Sequence, residues 1–167
     1  GGTTELLHVV PDGANVRAEK LGGTSDISAG QLIDRTGVLL GLPFPAGKAL
    51  DALASESGPV RGFPVKLNGL TFSLSGMENK GKALAEQGKP PAEIARFTLE
   101  TVASAVRRAT DAARKRWPGL CSGGVASNRL LRTVMSDAAF AGPQYSTDNA
   151  MGAAILAWRS LRQEAEA

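Results

Sequence analysis

Two stretches near the end of the chain carry residue types suited to chemistry: Cys121-Ser122-Gly123-Gly124-Val125-Ala126-Ser127-Asn128 and Tyr145-Ser146-Thr147-Asp148-Asn149-Ala150. Each reads as a strand that stops at small polar residues and passes at once into a helix. The first turn of a helix carries unpaired N–H groups and partial positive charge, which suits an anion. Two such turns in one small α/β unit would hold a phosphate-bearing ligand between them; either alone is equally an ordinary strand-to-helix connection. Other residues fit the same chemistry. Gly1-Gly2-Thr3-Thr4 would offer backbone N–H groups and hydroxyls to a phosphate. Asp34 would accept hydrogen bonds from a ribose or nucleoside, or else pair with Arg35 or act as a cap. Gly47 would allow close backbone approach, and Gly123-Gly124 with Asn128 would hold a base or ribose edge. Asp148 would bind a hard cation through a carboxylate oxygen, or cap the last helix.

Much chemistry is excluded. His8 is the only histidine and Cys121 the only cysteine. Ser-His-Asp, Cys-His and two-histidine metal sites cannot be built from this chain alone, and the phosphate-binding pattern Gly-x-x-x-x-Gly-Lys-Ser/Thr does not occur. One cysteine permits no internal disulfide, which fits a reducing cytosol. No apolar run approaches the roughly 20 residues that span a bilayer, so no membrane partner is expected. The net charge of +3 permits nucleic acid without arguing for it. The chain starts at Gly1-Gly2 without Met, as a processed, truncated or tagged piece, or half of something longer, would.

The elements that must position these residues follow from periodicity. With 43% apolar residues but only 5% aromatic ones, the core must be aliphatic and alanine-rich. Thr4 to Val10 and Asn15 to Leu21 predict a hairpin turning at Pro11-Asp12-Gly13. Gly22-Gly23-Thr24-Ser25-Asp26 supplies an N-cap, and Ile27 to Leu40 has helical spacing. Gly30 and Gly37 in that helix predict a very close neighbour, either backbone or ligand. Leu42-Pro43-Phe44-Pro45-Ala46-Gly47 is a stiff loop before a short helix, Lys48 to Ser57. Alternation on both sides of Asn68-Gly69 predicts a second hairpin with a type I′ turn. Helices are expected from Ser75 to about Gln87 and from Pro90-Pro91 to near Trp117. The end of the latter carries Arg107, Arg108, Arg114, Lys115 and Arg116, either a solvated basic face or an RNA-facing patch. Leu120 to Ser122 predicts a short buried strand, Ala126 to Met135 a helix, Gln144-Tyr145 a strand, and Asn149 to about Glu164 the closing helix. The order is α/β with a helical insertion.

In this order the motifs resemble the second half of the tRNA threonylcarbamoyladenosine synthase family, formerly known as O-sialoglycoprotein endopeptidases or glycoproteases. The resemblance rests on Gly1-Gly2-Thr3-Thr4-Glu5-Leu6, the run from Ser25 to Arg35, Leu39 to Gly47, Leu70 to Gly76, Gly123 to Arg132 and Thr147-Asp148-Asn149-Ala150. It implies an actin/Hsp70/sugar-kinase-like (RNase H-like) lobe, incomplete at its N-terminus. Residues 28–118 would be a mostly helical insertion with a β-hairpin, and 119–167 the strand–helix nucleotide-binding part. The implied activity is transfer of threonylcarbamoyl from threonylcarbamoyl-AMP to an anticodon-adjacent adenosine of tRNA, in the cytoplasm. Gly1, Gly2, Asp34, Gly47 and Asn128 would line the adenylate site, and Asp148 would be one ligand of a divalent metal (Fe, Zn or Mg) whose histidines come from the first half. No residue is assigned a catalytic role. Implied partners are that N-terminal half, paralogous scaffold and ATPase subunits, tRNA, and a second copy in a homodimer.

Departures from the family pattern mark a divergent branch: Thr3 stands where the family has His, Gln31 where it has Glu, Ala46 where it has Gly, and Ser146 where it has Cys. Thr3, Gln31 and Ala46 motivate an alternative of another class, a non-catalytic nucleotide-binding or scaffold paralogue of the same fold that acts through protein–protein assembly. The absence of the strand before Gly1 predicts an exposed sheet edge along Gly1 to Val10.

Overall fold

The computed structural model describes residues 2–114, 119–146 and 150–166. Its first elements are β1 (Glu5–Asp12) and β2 (Asn15–Thr24), an antiparallel hairpin with an irregularity between Leu6 and Leu7. The two residues before the last of β2, Gly22 and Gly23, are glycines for a steric reason. A Cβ on Gly22 would lie 2.3 Å from the Leu70 carbonyl oxygen, and one on Gly23 (φ +133°) 2.2 Å from that of Thr4. That closeness lets Gly23 N–H donate to Leu70 O and Thr24 N–H to Thr4 O.

The second predicted hairpin forms, but only Leu67–Asn68 (β3) and Thr71–Phe72 (β4) pair. Asn68 faces Thr71, so the turn is centred on Gly69-Leu70, one residue later than the expected Asn68-Gly69. Only Gly69 has positive φ (+60°), the type II′ requirement at the first central position. Pro64, which has no N–H to give, precedes the short strand. β4 runs parallel to β2, giving one sheet in the order β1-β2-β4-β3. The hairpin within 28–118 thus extends the sheet begun by the first.

Helices pack on one end of this sheet, where Phe72 and the partly buried Leu6 join Ala29, Leu32, Met77 and Val102 in the core. Helix α1 (Ala29–Leu39) begins two residues later than expected, because Ser28 caps it: Ser28 Oγ accepts from Gln31 N–H while Gln31 Oε1 accepts from Ser28 N–H. Helix α2 (Gly47–Ala54) is anchored by Leu50, fully buried and worth about 2–3 kcal/mol in apolar transfer. Helix α3 (Ser75–Glu86) and the long α4 (Pro91–Arg114) follow. α4 packs against α1, α2 and α3, and its buried stripe is rich in small residues: Ala95, Thr98, Thr101, Ala103, Ala105 and Ala109 beside Ile94, Leu99 and Val102. The core is alanine-rich as composition requires.

The last third differs more from expectation. β5 (Leu120–Cys121) and β6 (Ala139–Phe140) form a two-stranded parallel sheet. Leu120 is 68% exposed rather than buried. Between them lie a 3₁₀ turn, Gly124–Ser127, and α5 (Arg129–Val134), where one continuous helix was expected. Gln144-Tyr145 belongs to a single helical turn, α6 (Pro143–Ser146), because the strand that follows α5 is used up at Phe140. α7 (Ala150–Glu166) closes the described chain.

The basic end of α4 is a staple. Arg107 Nε donates to Asp111 and its Nη1 to Asp137; Arg114 Nη1 also reaches Asp137 at 2.9 Å. Arg108 Nη1 donates to the Val65 carbonyl at 2.7 Å. These three arginines tie α4 to the α5–β6 turn and to the segment before β3. Lys115 and Arg116 lie outside the described residues.

Candidate functional site

Helix α2 is the hub of the site. Asp34, on α1, accepts the Ala46 N–H on Oδ1 at 2.8 Å, fixing the residue that precedes α2. The approach is close because position 37 is glycine: a Cβ there would lie 2.1 Å from Ala46 Cβ. Gly47, the first residue of α2, has open space where a Cβ would stand. One turn on, Asp51 reaches the other side of the site. Its Oδ1 accepts from Asn128 Nδ2 at 2.9 Å and its Oδ2 from Arg129 Nε at 2.8 Å.

Asn128 in turn caps α5, its Oδ1 accepting Leu131 N–H at 3.0 Å. The turn before it, starting at Gly123 (φ +102°) and Gly124, also has open space at both glycines. Val125 pins that turn down by packing against the apolar cluster of Ile33, Leu50 and Leu99. Asp34, Gly47, Gly123, Gly124 and Asn128 therefore lie on elements that meet around α2.

Several of these groups already have structural work. Asp34 and Asn128 both act as caps, which for Asp34 was one of the readings the sequence offered. Each keeps spare capacity: Asp34 Oδ2 accepts no hydrogen bond among the described residues, and Asn128 Nδ2 retains one N–H. Asp51, 14% exposed at its side chain, is a residue the sequence did not flag. Its only signal was its place one turn after Gly47 on the same helical face.

The start of the chain sits at the other end of α1. Gly2 and Thr3 are exposed. It is Thr4, not Thr3, that makes the contact there: its Oγ1 accepts the Ala29 N–H at 2.9 Å. Asp34 lies five residues further along α1, about 8 Å along the axis. No hydrogen bond joins Gly2 or Thr3 to Asp34 among the described residues. Gly1 and Asp148 lie outside the described residues.

Burial pushes the Cys121 thiol up, against weaker opposing pulls from the Arg114 and Arg132 charges; a protonated thiol is a poor nucleophile. No group of three or more His, Cys, Asp or Glu able to hold a metal ion occurs among the described residues. No helix of the described residues is long and apolar enough to cross a membrane.

The family model for TsaD, tRNA N6-adenosine threonylcarbamoyltransferase, matches residues 1–155. The chain belongs to this family. A tRNA N6-adenosine threonylcarbamoyltransferase of Thermus thermophilus is 36% identical over 169 residues, covering 95% of this chain and 51% of the relative. Its namesake from Paramagnetospirillum magneticum is 34% identical, covering 98% of this chain and 53% of that protein. One from Enterococcus faecalis is also 34% identical, covering 83% and 42%. The chain thus spans about half the length of the TsaD relatives it matches. The mixed α/β architecture is consistent with the TsaD fold.

Proposed function

We propose that this chain is the nucleotide-holding, C-terminal lobe of a threonylcarbamoyltransferase that acts on tRNA. In that reading the lobe has the actin/Hsp70/sugar-kinase architecture and works beside an N-terminal half. The reaction joins the N6 of an anticodon-adjacent adenosine to the carbamoyl carbon of threonylcarbamoyl-AMP. The bond from that carbon to the phosphate oxygen breaks, AMP leaves, and N6 gives up a proton. The lobe contributes position and electrostatics.

The observation that carries this reading is the meeting of Asp34, Gly47 and Asn128 around α2. Asp34 Oδ2 is an acceptor suited to a ribose hydroxyl. Gly47 and Gly123-Gly124 leave backbone accessible to a ligand, and the spare Asn128 N–H could donate to a ligand acceptor. Gly1, Gly2 and Thr3 would add contacts from the start of the chain. A divalent metal bound with histidines from the other half would polarise the carbamoyl or phosphate oxygens, with Asp148 as a ligand. Cytoplasmic location, and scaffold and ATPase subunits as partners, belong to the same proposal.

Calorimetry with AMP and ATP tests it. The chain is expected to bind, and Asp34→Asn to weaken binding about tenfold, the effect of removing a charged hydrogen-bond acceptor. The full protein, assayed with partner proteins, should form threonylcarbamoyladenosine on tRNA; a protein that forms none has no transferase role.

One observation favours the scaffold alternative. Two of the departures from the family pattern are built into the packing: Gln31 completes the α1 capping box, and Ala46 is buried against Gly37. Thermodynamic silence toward both nucleotides would select the scaffold.

A further inference from the structure

Phe44 is 74% exposed, more than any other exposed large hydrophobic residue described. A free aromatic ring on a surface loop costs apolar transfer energy and returns none in this fold. Its mounting is rigid. Leu42 N–H donates to Gly37 O at 2.9 Å on one side of it, and Ala46 N–H to Asp34 Oδ1 at 2.8 Å on the other. Leu42 packs on the Ile33–Leu50 cluster and Ala46 is fully buried. Pro43 and Pro45 flank the ring and fix the backbone φ on both sides. The loop is therefore clamped at its two ends and stiffened in the middle, with the phenyl ring left in solvent. It lies two residues before the amide that Asp34 holds and three before Gly47. Lys48, exposed on the next turn, makes no ion pair among the described residues.

We infer that Phe44 is a stacking platform for an unpaired RNA base, with Lys48 placed for the adjoining phosphate. The inference rests on the proposal that the substrate is RNA, and adds where this lobe grips it. An aromatic face accepts any base, which suits a loop nucleotide splayed out beside the reacting adenosine. A rigid ring loses little freedom on binding, so the contact is pre-organised. Phe44 holds the RNA and takes no part in bond making.

The test compares Phe44→Ala, Phe44→Leu, Phe44→Tyr and Phe44→Trp in the full chain. The probe is a fluorescein-labelled anticodon stem-loop RNA with an unpaired adenosine beside the anticodon, titrated by anisotropy. AMP calorimetry and thermal melts run in parallel. Because Phe44 is exposed, all four variants should melt like the parent. Phe44→Ala and Phe44→Leu are expected to weaken RNA binding about tenfold, while the aromatic variants stay within about twofold of the parent. AMP affinity should not change.

Full binding by Phe44→Leu would overturn the inference and assign the ring, with exposed Val38 and Leu39 nearby, to an apolar protein contact. Loss of AMP affinity with RNA binding unchanged would overturn it too, by placing the ring on the nucleotide. A parent that binds no RNA also refutes it. A parent that binds RNA through Phe44 but no AMP sinks the nucleotide-site proposal and leaves this one standing.

Discussion

Asp26 lies in the turn between β2 and α1, yet its bonds run to α3. Its Oδ1 accepts the Leu74 N–H and its Oδ2 the Ser75 N–H, and the Ser73 hydroxyl donates to Oδ2. Burial raises the Asp26 pKa, but bonds from the Ser73 and Ser75 hydroxyls and the two N–H groups outweigh it, holding the carboxyl at about 2. The folded pKa is below the ordinary value of 3.8, so the folded state binds this proton less readily than the unfolded one. The stabilisation is present above about pH 4 and fades as pH falls from there towards 2. Asp26→Ala should cost about 1 kcal/mol at neutral pH, as the loss of a helix cap does, and nearly nothing below pH 2. Urea melts at pH 7 and pH 2 check both ends; equal losses at the two pH values would refute the assignment. The sequence placed an N-cap for the next helix within Gly22 to Asp26; Ser28 takes that place, and Asp26 instead holds the start of α3. Asp51 was invisible for a related reason: its partner Asn128 is 77 residues away, and no local pattern encodes such a pair.

At the scale of elements, α1 and α2 meet where Gly37 lets Ala46 in. Helix propensity alone says Gly37→Ala should stabilise by about 1 kcal/mol. The packing says the reverse, because the new methyl would lie 2.1 Å from Ala46 Cβ, inside a buried contact. Overpacking of this kind costs about 1–3 kcal/mol, so the net effect is expected to be a loss. Gly81→Ala in α3 is the control. Its new Cβ meets nothing nearer than Leu39 Cδ2 at 4.0 Å, so the propensity gain of about 1 kcal/mol should appear undiminished. Denaturant melts of the two variants should move in opposite directions; a gain in both would mean that the α1–α2 contact is looser than described. Gly37 also shows what the sequence could convey. Two glycines seven apart announced a close neighbour, and whether it would be backbone or ligand was left open; at Gly37 it is the Ala46 methyl group. Long periodic elements such as α1 and α4 were legible because their faces repeat over many residues. β3, β4, β5 and β6 have two residues each, too few for a period, and their bounds came from pairing partners distant in sequence. The elements around Asn128 were legible as a turn and a helix start, while the break between the 3₁₀ turn and α5 was not.

At the scale of the whole molecule, β1 is an edge of the four-stranded sheet, as the sequence predicted. It is long for an edge, eight residues, with a row of backbone groups open to further pairing. Leu7, Val9 and Val16 on the hairpin are each 44–52% exposed. On α7, Met151, Ile155, Trp158 and Leu161 form a second apolar stripe, each at least 42% exposed. The chain spans only about half of its relatives' length, and the proposed N-terminal half would cover this edge. Alone, the chain is expected to self-associate through β1. Sedimentation at rising concentration should show oligomers, and Val9→Lys should shift the population towards monomer, since an edge lysine blocks strand addition. Val9 is half-exposed, so this change should leave the melting temperature within a few degrees. Co-expression with the complementary half of the relatives' sequence should suppress self-association in the unmutated chain. If the unmutated chain alone stays monomeric at high concentration, the bare β1 edge is no liability and needs no cover.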